Sequence, residues 1–125
     1  MKTILVVEDN KDLRDILKKR LEYEGYLVNL AEDGYVLLGS LRSGKEPDAI
    51  ILDLMLPGRS GVELLGTLTS TWKMTKIYIF SAHPEYQERH GLKNYDIAGY
   101  FLKSDGIDNL ITTIKEDLEG TEWEK

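Results

Sequence analysis

Short β-branched and aliphatic runs alternate with segments whose apolar residues recur at helical spacing. No other feature of this chain limits its fold so tightly. TILVVE (3–8), YLVNLA (26–31), AIILDL (49–54), KIYIFSA (76–82) and AGYFLK (98–103) read as five strands, the first of them buried. After Asn10, an expected N-cap, Leu13, Ile16, Leu17 and Leu21 mark one helical stripe, which Gly25 ends. GYVLLGSLRSG (34–44) predicts a second helix closed by Gly44, with Gly39 weakening it. Ser60 and Glu63 have the spacing of a capping box ahead of Leu64, Leu65 and Leu68. The stretch 83–96 is polar, contains Pro84 and Gly91, and supports only a poor helix. Ile107, Leu110, Ile111, Ile114 and Leu118 form one face of a last helix. Five strand–helix pairs in strict alternation imply an α/β fold: a doubly wound, five-stranded parallel sheet, (βα)5, with helices on both faces.

At 125 residues, 42% of them hydrophobic, the chain is expected to form a single domain spanning 1–125 around a real core. Sixteen basic against 22 acidic residues leave a net charge of −6, which argues against a nucleic-acid-binding surface. There is no cysteine, so disulfides and thiolate chemistry are excluded. Acidic residues appear by position 8, too early for a signal-peptide core, and no apolar run approaches the roughly 20 residues of a membrane span. The expectation is a cytoplasmic domain with no membrane contact.

In parallel sheets of this kind ligands bind at the carboxyl ends of the strands. The chemistry-bearing residues there are Glu8 and Asp9 after the first strand, Asp53 ending the third, Ser81 in the fourth and Lys103 after the fifth. A buried strand running straight into Asp53 needs a partner for that charge. Three neighbouring carboxylates repel one another unless a cation intervenes, and a hard divalent ion such as Mg²⁺ suits oxygen ligands. A carboxylate so held, beside a lysine and a hydroxyl, has the makings of a nucleophile toward a phosphoryl group. Taken singly, each residue has a plainer use: Asp9 as a helix cap, Ser81 in a turn, Lys103 in solvent. Asp53 fits the plain use least, because Pro57 and Gly58 delay the next helix to about Ser60. Their arrival together at one sheet edge is what carries the reading.

The motifs ILVVEDN, IILDLMLPGRSG, FSA and YFLK, in this order and at this spacing, resemble the receiver domain of two-component response regulators over nearly the whole chain. That resemblance implies a flavodoxin-like fold with strand order 2-1-3-4-5. It implies that Asp53 is a phosphoacceptor for a histidine kinase or a histidine phosphotransfer protein, and that the domain is not itself an enzyme beyond Mg²⁺-dependent self-phosphorylation and autodephosphorylation. Glu8, Asp9, Asp53 and the backbone carbonyl of Met55 match the family's Mg²⁺ ligands. Ser81 matches the hydroxyl residue that moves to the phosphoryl group, Lys103 the family's lysine and Tyr100 its aromatic switch. The resemblance further implies a downstream protein target or a fused output domain, bound through the face made by helix 4, strand 5 and helix 5. No output domain is expected within this chain.

Three features depart from the family pattern. Ser104 stands where receivers usually have proline after the lysine; a cis bond before a non-proline residue costs ~3–4 kcal/mol, so a changed loop is expected, with Ser104 capping the last helix. The fourth helix region is poor in apolar residues. His83 follows Ser81 by two positions, near the approach of an attacking water. A flavodoxin-type electron carrier needs a Gly- and Ser/Thr-rich loop where this chain has EDNKDL, and a haloacid-dehalogenase-like phosphatase carries its nucleophile after the first strand. The alternative function is a pseudo-receiver, a docking module that works without phosphorylation.

Overall fold

The computed structural model describes residues 1–57, 61–87 and 92–120. Five strands, β1 (Thr3–Val7), β2 (Leu27–Ala31), β3 (Ala49–Leu52), β4 (Lys76–Ser81) and β5 (Gly99–Leu102), form one sheet in the order 2-1-3-4-5. Every neighbouring pair is parallel. The expected topology is the one found.

Alternation along the strands sorts the core into two layers. Leu5, Val7, Ile50, Leu52, Ile77 and Ile79 pack against α2 (Gly34–Ser43) and α3 (Gly61–Thr71). Ile4, Val6, Ala49, Ile51, Tyr78 and Phe80 pack against α1 (Lys11–Tyr23) and α4 (Asp108–Glu119). Because β3 is covered on both faces, all four of its residues are buried, and so it reads as an unbroken apolar run. Burying each such aliphatic side chain contributes about 1.5–3 kcal/mol.

Asn10 caps α1 as expected, its side chain accepting from the Leu13 N–H at 3.0 Å. Gly25 follows that helix at φ +97°, a conformation that only glycine adopts without strain. Asp33 caps α2 through the Val36 N–H at 2.9 Å, a cap the hydrophobic pattern does not reveal. Helix α4 is moored by four polar ties. Tyr78 donates to Asp117 at 2.7 Å, Tyr26 donates to Glu119, Lys115 pairs with Glu24 and Arg20 with Asp108.

Several expectations need correction. Between β4 and β5 the described residues form two 3-10 turns, Pro84–Gln87 and Leu92–Asn94, so five strands are matched by four α-helices among the described residues. Among the described residues of this connection, Leu92, Tyr95 and Ile97 reach the core. These three lie close together at its end, without the repeated helical spacing of a long amphipathic stripe. Ser104 does not cap the last helix: it lies in a 3-10 turn, Lys103–Asp105, followed by Gly106 at φ +79°. Helix α4 begins later, after Ile107, which offers no side-chain cap. Ile16 is 49% exposed and lies off the α1 stripe, whose buried members are Leu17 and Leu21. Gly44 does close α2, its N–H donating to Ser40. Ser60, the first half of the expected capping box, lies outside the described residues, as does Gly91.

Candidate functional site

Strand register builds the site. Val7 is paired with Leu52, so the next residues along, Glu8 and Asp53, leave adjacent strand ends side by side. Both are fixed at the main chain: Glu8 N–H donates to Ala31 at 3.0 Å and Asp53 N–H to Val7 at 3.1 Å. Glu8 is 1% exposed and Asp53 4%, so their charges have little access to bulk water. Asp9 is exposed. Each of the three brings a carboxylate oxygen within 4.8 Å of the others.

Lys103 answers the buried pair. Its Nζ lies 2.8 Å from Asp53 Oδ2 and 2.8 Å from Glu8 Oε1. The remaining oxygens are also held: Asp53 Oδ1 accepts from the Met55 N–H at 2.9 Å, and Glu8 Oε2 from the Asn10 N–H at 3.0 Å. Burial pushes the Glu8 carboxyl above its ordinary range; Lys103 and the Asn10 N–H pull it down, and Asp53 pushes it further up. For Lys103 burial is the largest single influence and favours loss of the proton, yet its contacts with Asp53 and Glu8 together outweigh it and hold the ammonium above its ordinary range. The lysine is therefore a fixed cation at any physiological pH.

This donor set fits a hard divalent ion. Three carboxylates meet a single ammonium, leaving two negative charges unanswered by side chains in contact with them. Oxygen ligands with an exposed member, Asp9, suit an ion that keeps several of its waters. Met55 contributes its N–H to Asp53 and is 51% exposed at the mouth of the site.

The other expected residues lie along β4 and β5. Ser81 is fully buried, and its Oγ accepts from the His83 N–H at 3.0 Å. Tyr100, on β5, donates its hydroxyl to the carbonyl of His83. The backbone of one residue thus touches both side chains. The His83 ring turns to Glu85, with Nδ1 3.1 Å from its carboxylate. Two contacts were not foreseen. One is this role of the His83 main chain. The other is Arg14, whose Nη1 donates to the carbonyls of Glu8 at 2.9 Å and Asp9 at 3.3 Å. Neither has a signature in hydrophobic periodicity, because one is a main-chain contact and the other a polar side chain on main-chain carbonyls.

The description that fits residues 4–115 is that of the response regulator receiver domain. The chain belongs to the response regulator receiver family. Response regulator MprA of Mycobacterium ulcerans is 32% identical to it over 121 residues, which is 97% of this chain and 52% of that protein. The chain accordingly spans about half the length of the curated relatives it matches. Among solved structures, response regulator TrrA of Thermotoga maritima, in complex with Mg²⁺–BeF, is 36% identical with a TM-score of 0.83, covering 94% of this chain and 100% of that one. A CheY-like receiver of Methanospirillum hungatei is 28% identical with a TM-score of 0.85, covering 100% and 99%. This receiver is thus a two-component signalling domain of flavodoxin-like fold. None of its described helices is long and apolar enough to cross a membrane.

Proposed function

We propose that this receiver works as a phosphoacceptor, with Asp53 taking a phosphoryl group from the phosphohistidine of a histidine kinase or a histidine phosphotransfer protein. The observation that carries the proposal is a buried Asp53 at a strand end, joined to Lys103 and sharing its site with Glu8 and Asp9. In the transfer, an Asp53 oxygen bonds to phosphorus as the phosphorus–nitrogen bond breaks. The electron pair of that bond returns to the imidazole, which takes up a proton from solvent. The domain is not an enzyme beyond promoting this exchange and the later hydrolysis of its own acyl phosphate.

Mg²⁺ is the ion proposed for the acidic cluster, with Glu8, Asp9, Asp53 and the Met55 carbonyl as its holders; when bound, it neutralises charge on the transferred oxygens. Lys103 supplies a second, permanent cation, and Ser81 a hydroxyl donor. The switch we propose runs through His83. When the Ser81 hydroxyl turns to a phosphoryl oxygen, it leaves the His83 N–H, and the carbonyl of that same residue holds Tyr100. A change at Ser81 therefore reaches Tyr100 and the segment after His83 without a long path. The described residues between β4 and β5, with β5 and α4, then form the face read by a downstream protein or a fused output domain. The cytoplasm is the compartment proposed, and residues 1–125 one receiver unit.

Incubating the protein with a small-molecule phosphoryl donor and Mg²⁺ tests this by mass spectrometry. One phosphoryl group is expected on the wild type and none on Asp53→Asn. Asp9→Ala should lose nearly all phosphorylation while remaining folded. An unmodified wild type would overturn the proposal in favour of a phosphorylation-independent docking module.

A further inference from the structure

Of the three clustered carboxylates, two are held by side-chain contacts and one is not. Glu8 and Asp53 each use both oxygens, on Lys103 and on a backbone N–H. The Asp9 carboxylate has no hydrogen bond or ion pair among the described residues, so only its backbone places it. That backbone is gripped from α1. Arg14 Nη1 reaches back to the carbonyl of Glu8 at 2.9 Å and to that of Asp9 at 3.3 Å. Asn10 caps the helix between them, and the Arg14 N–H closes its first turn on the Asn10 carbonyl at 2.9 Å. The guanidinium thus ties both acidic residues to the start of the helix.

The position is electrostatically awkward, which gives the contact weight. A cation near a helix N-terminus opposes the macrodipole. It also stands beside a site that collects a divalent cation. Neither effect favours arginine there, whereas its Nη1, one bond further from the main chain than a lysine ammonium, reaches both successive carbonyls.

We infer that Arg14 is a positioning residue for the divalent ion: by holding the Glu8 and Asp9 carbonyls it sets the turn that points Asp9 into the metal site. The inference rests on the metal reading of the acidic cluster proposed above. It makes a prediction of sign. If the charge of Arg14 dominated, its removal would tighten cation binding; if its hydrogen bonds dominate, removal loosens it. Partners that orient metal ligands from the second layer typically matter by 10–100-fold in affinity, and one partly exposed arginine belongs at the low end, roughly 10-fold.

The test is calorimetric titration of Mg²⁺ into the intact protein, with no phosphoryl donor present, for the wild type, Arg14→Ala, Arg14→Lys and Asp9→Asn. Alanine, lysine and arginine all favour helix, so α1 is kept, and thermal melts followed by circular dichroism verify it. Weaker binding in Arg14→Ala by roughly 10-fold, with part of it recovered in Arg14→Lys, is the expected result. Unchanged or tighter binding in Arg14→Ala overturns the inference while leaving the metal site standing. Failure of the wild type to bind, or equal binding by Asp9→Asn and wild type, overturns the metal reading itself. Should Arg14→Ala melt before titration, Arg14→Lys decides alone: affinity equal to the wild type then overturns the role of the two-carbonyl grip.

Discussion

The two halves of the site are built differently. Glu8 and Asp53 leave the central strands β1 and β3, nearly without exposure, with every carboxylate oxygen held. Ser81 and Tyr100 come from β4 and the edge strand β5, all four of whose residues are only half-buried. They are joined by one hydrogen bond each to the His83 backbone. The Glu8 and Asp53 carboxylates are tied by Lys103 and by main-chain N–H groups, whereas Ser81 and Tyr100 meet at the main chain of one residue. In the proposed mechanism the chemistry belongs to the first group and the conformational response to the second. Lys103 belongs to both, since it leaves the end of β5 and reaches across to the acids.

That bridging lysine gives the largest expected effect. Removing one partner of a buried ion pair leaves the other uncompensated, at a cost of about 3–5 kcal/mol. Lys103→Ala should fall at the lower end, about 3 kcal/mol, because its side chain is 23% exposed and one carboxyl can take up a proton. Urea unfolding in the absence of divalent ions would measure the loss. Mg²⁺ should restore a larger share of stability to the variant than it adds to the wild type. If Lys103→Ala were as stable as wild type, the acidic half would not depend on its cation, and the contrast drawn above would fail.

Ser81→Ala addresses the responsive half. It removes one hydrogen-bond acceptor and should cost about 1 kcal/mol. Asp53 should still be phosphorylated, since nucleophile, lysine and acids remain. Chemical shifts at Tyr100 and along 92–97 should then respond much less to a phosphoryl mimic such as beryllofluoride than they do in the wild type. Equal responses in the two proteins would break the link between Ser81 and Tyr100.

Sequence pattern reads the acidic strand ends far better than the connection after β4, and for a physical reason. Continuous apolar runs mark β1 and β3 because both of their faces are buried, and a strand that ends in Asp53 places that residue at the sheet edge by topology alone. The connection after β4 is short of such pattern in the sequence, and its described residues form 3-10 turns where the (βα)5 reading expects a fourth helix. Ser104 has the composition of a cap but sits three residues too early, since the turn at Lys103–Asp105 and Gly106 take up the intervening chain. The His83 peptide acts through N–H and carbonyl groups that every residue carries, and the backbone carbonyls that Arg14 reaches have no residue type to announce them. The exposure of Ile16 is a question of where the α1 stripe ends, which spacing leaves open by one position.

The smallest effect concerns why the response should stay on one side of the sheet. Tyr78 points from β4 to the face opposite Ile77 and Ile79, and donates to Asp117 of α4 at 2.7 Å; nearby, Tyr26 donates to Glu119. These ties pin the underside of the strand that carries Ser81, so movement is left to the face where Tyr100 packs. Burial, and then the neighbouring carboxylate, raises both phenols well above their ordinary value of 10.0. The sign follows from proton counting. Above about pH 10 the unfolded chain has released these protons and the folded one has kept them, so stability present at neutral pH is lost as pH climbs. Lys103 is raised as well and contributes in the same direction above 10.5. Comparing the wild type with Tyr26→Phe/Tyr78→Phe therefore isolates the phenols: the double variant should lose about 0.5–1 kcal/mol per hydrogen bond at pH 7 and show a shallower decline between pH 9 and 11. Its response to the phosphoryl mimic should also spread to Ile114 and its neighbours on α4. Parallel pH profiles for the two proteins, or a response at Ile114 already present in the wild type, would show that the underside is not pinned.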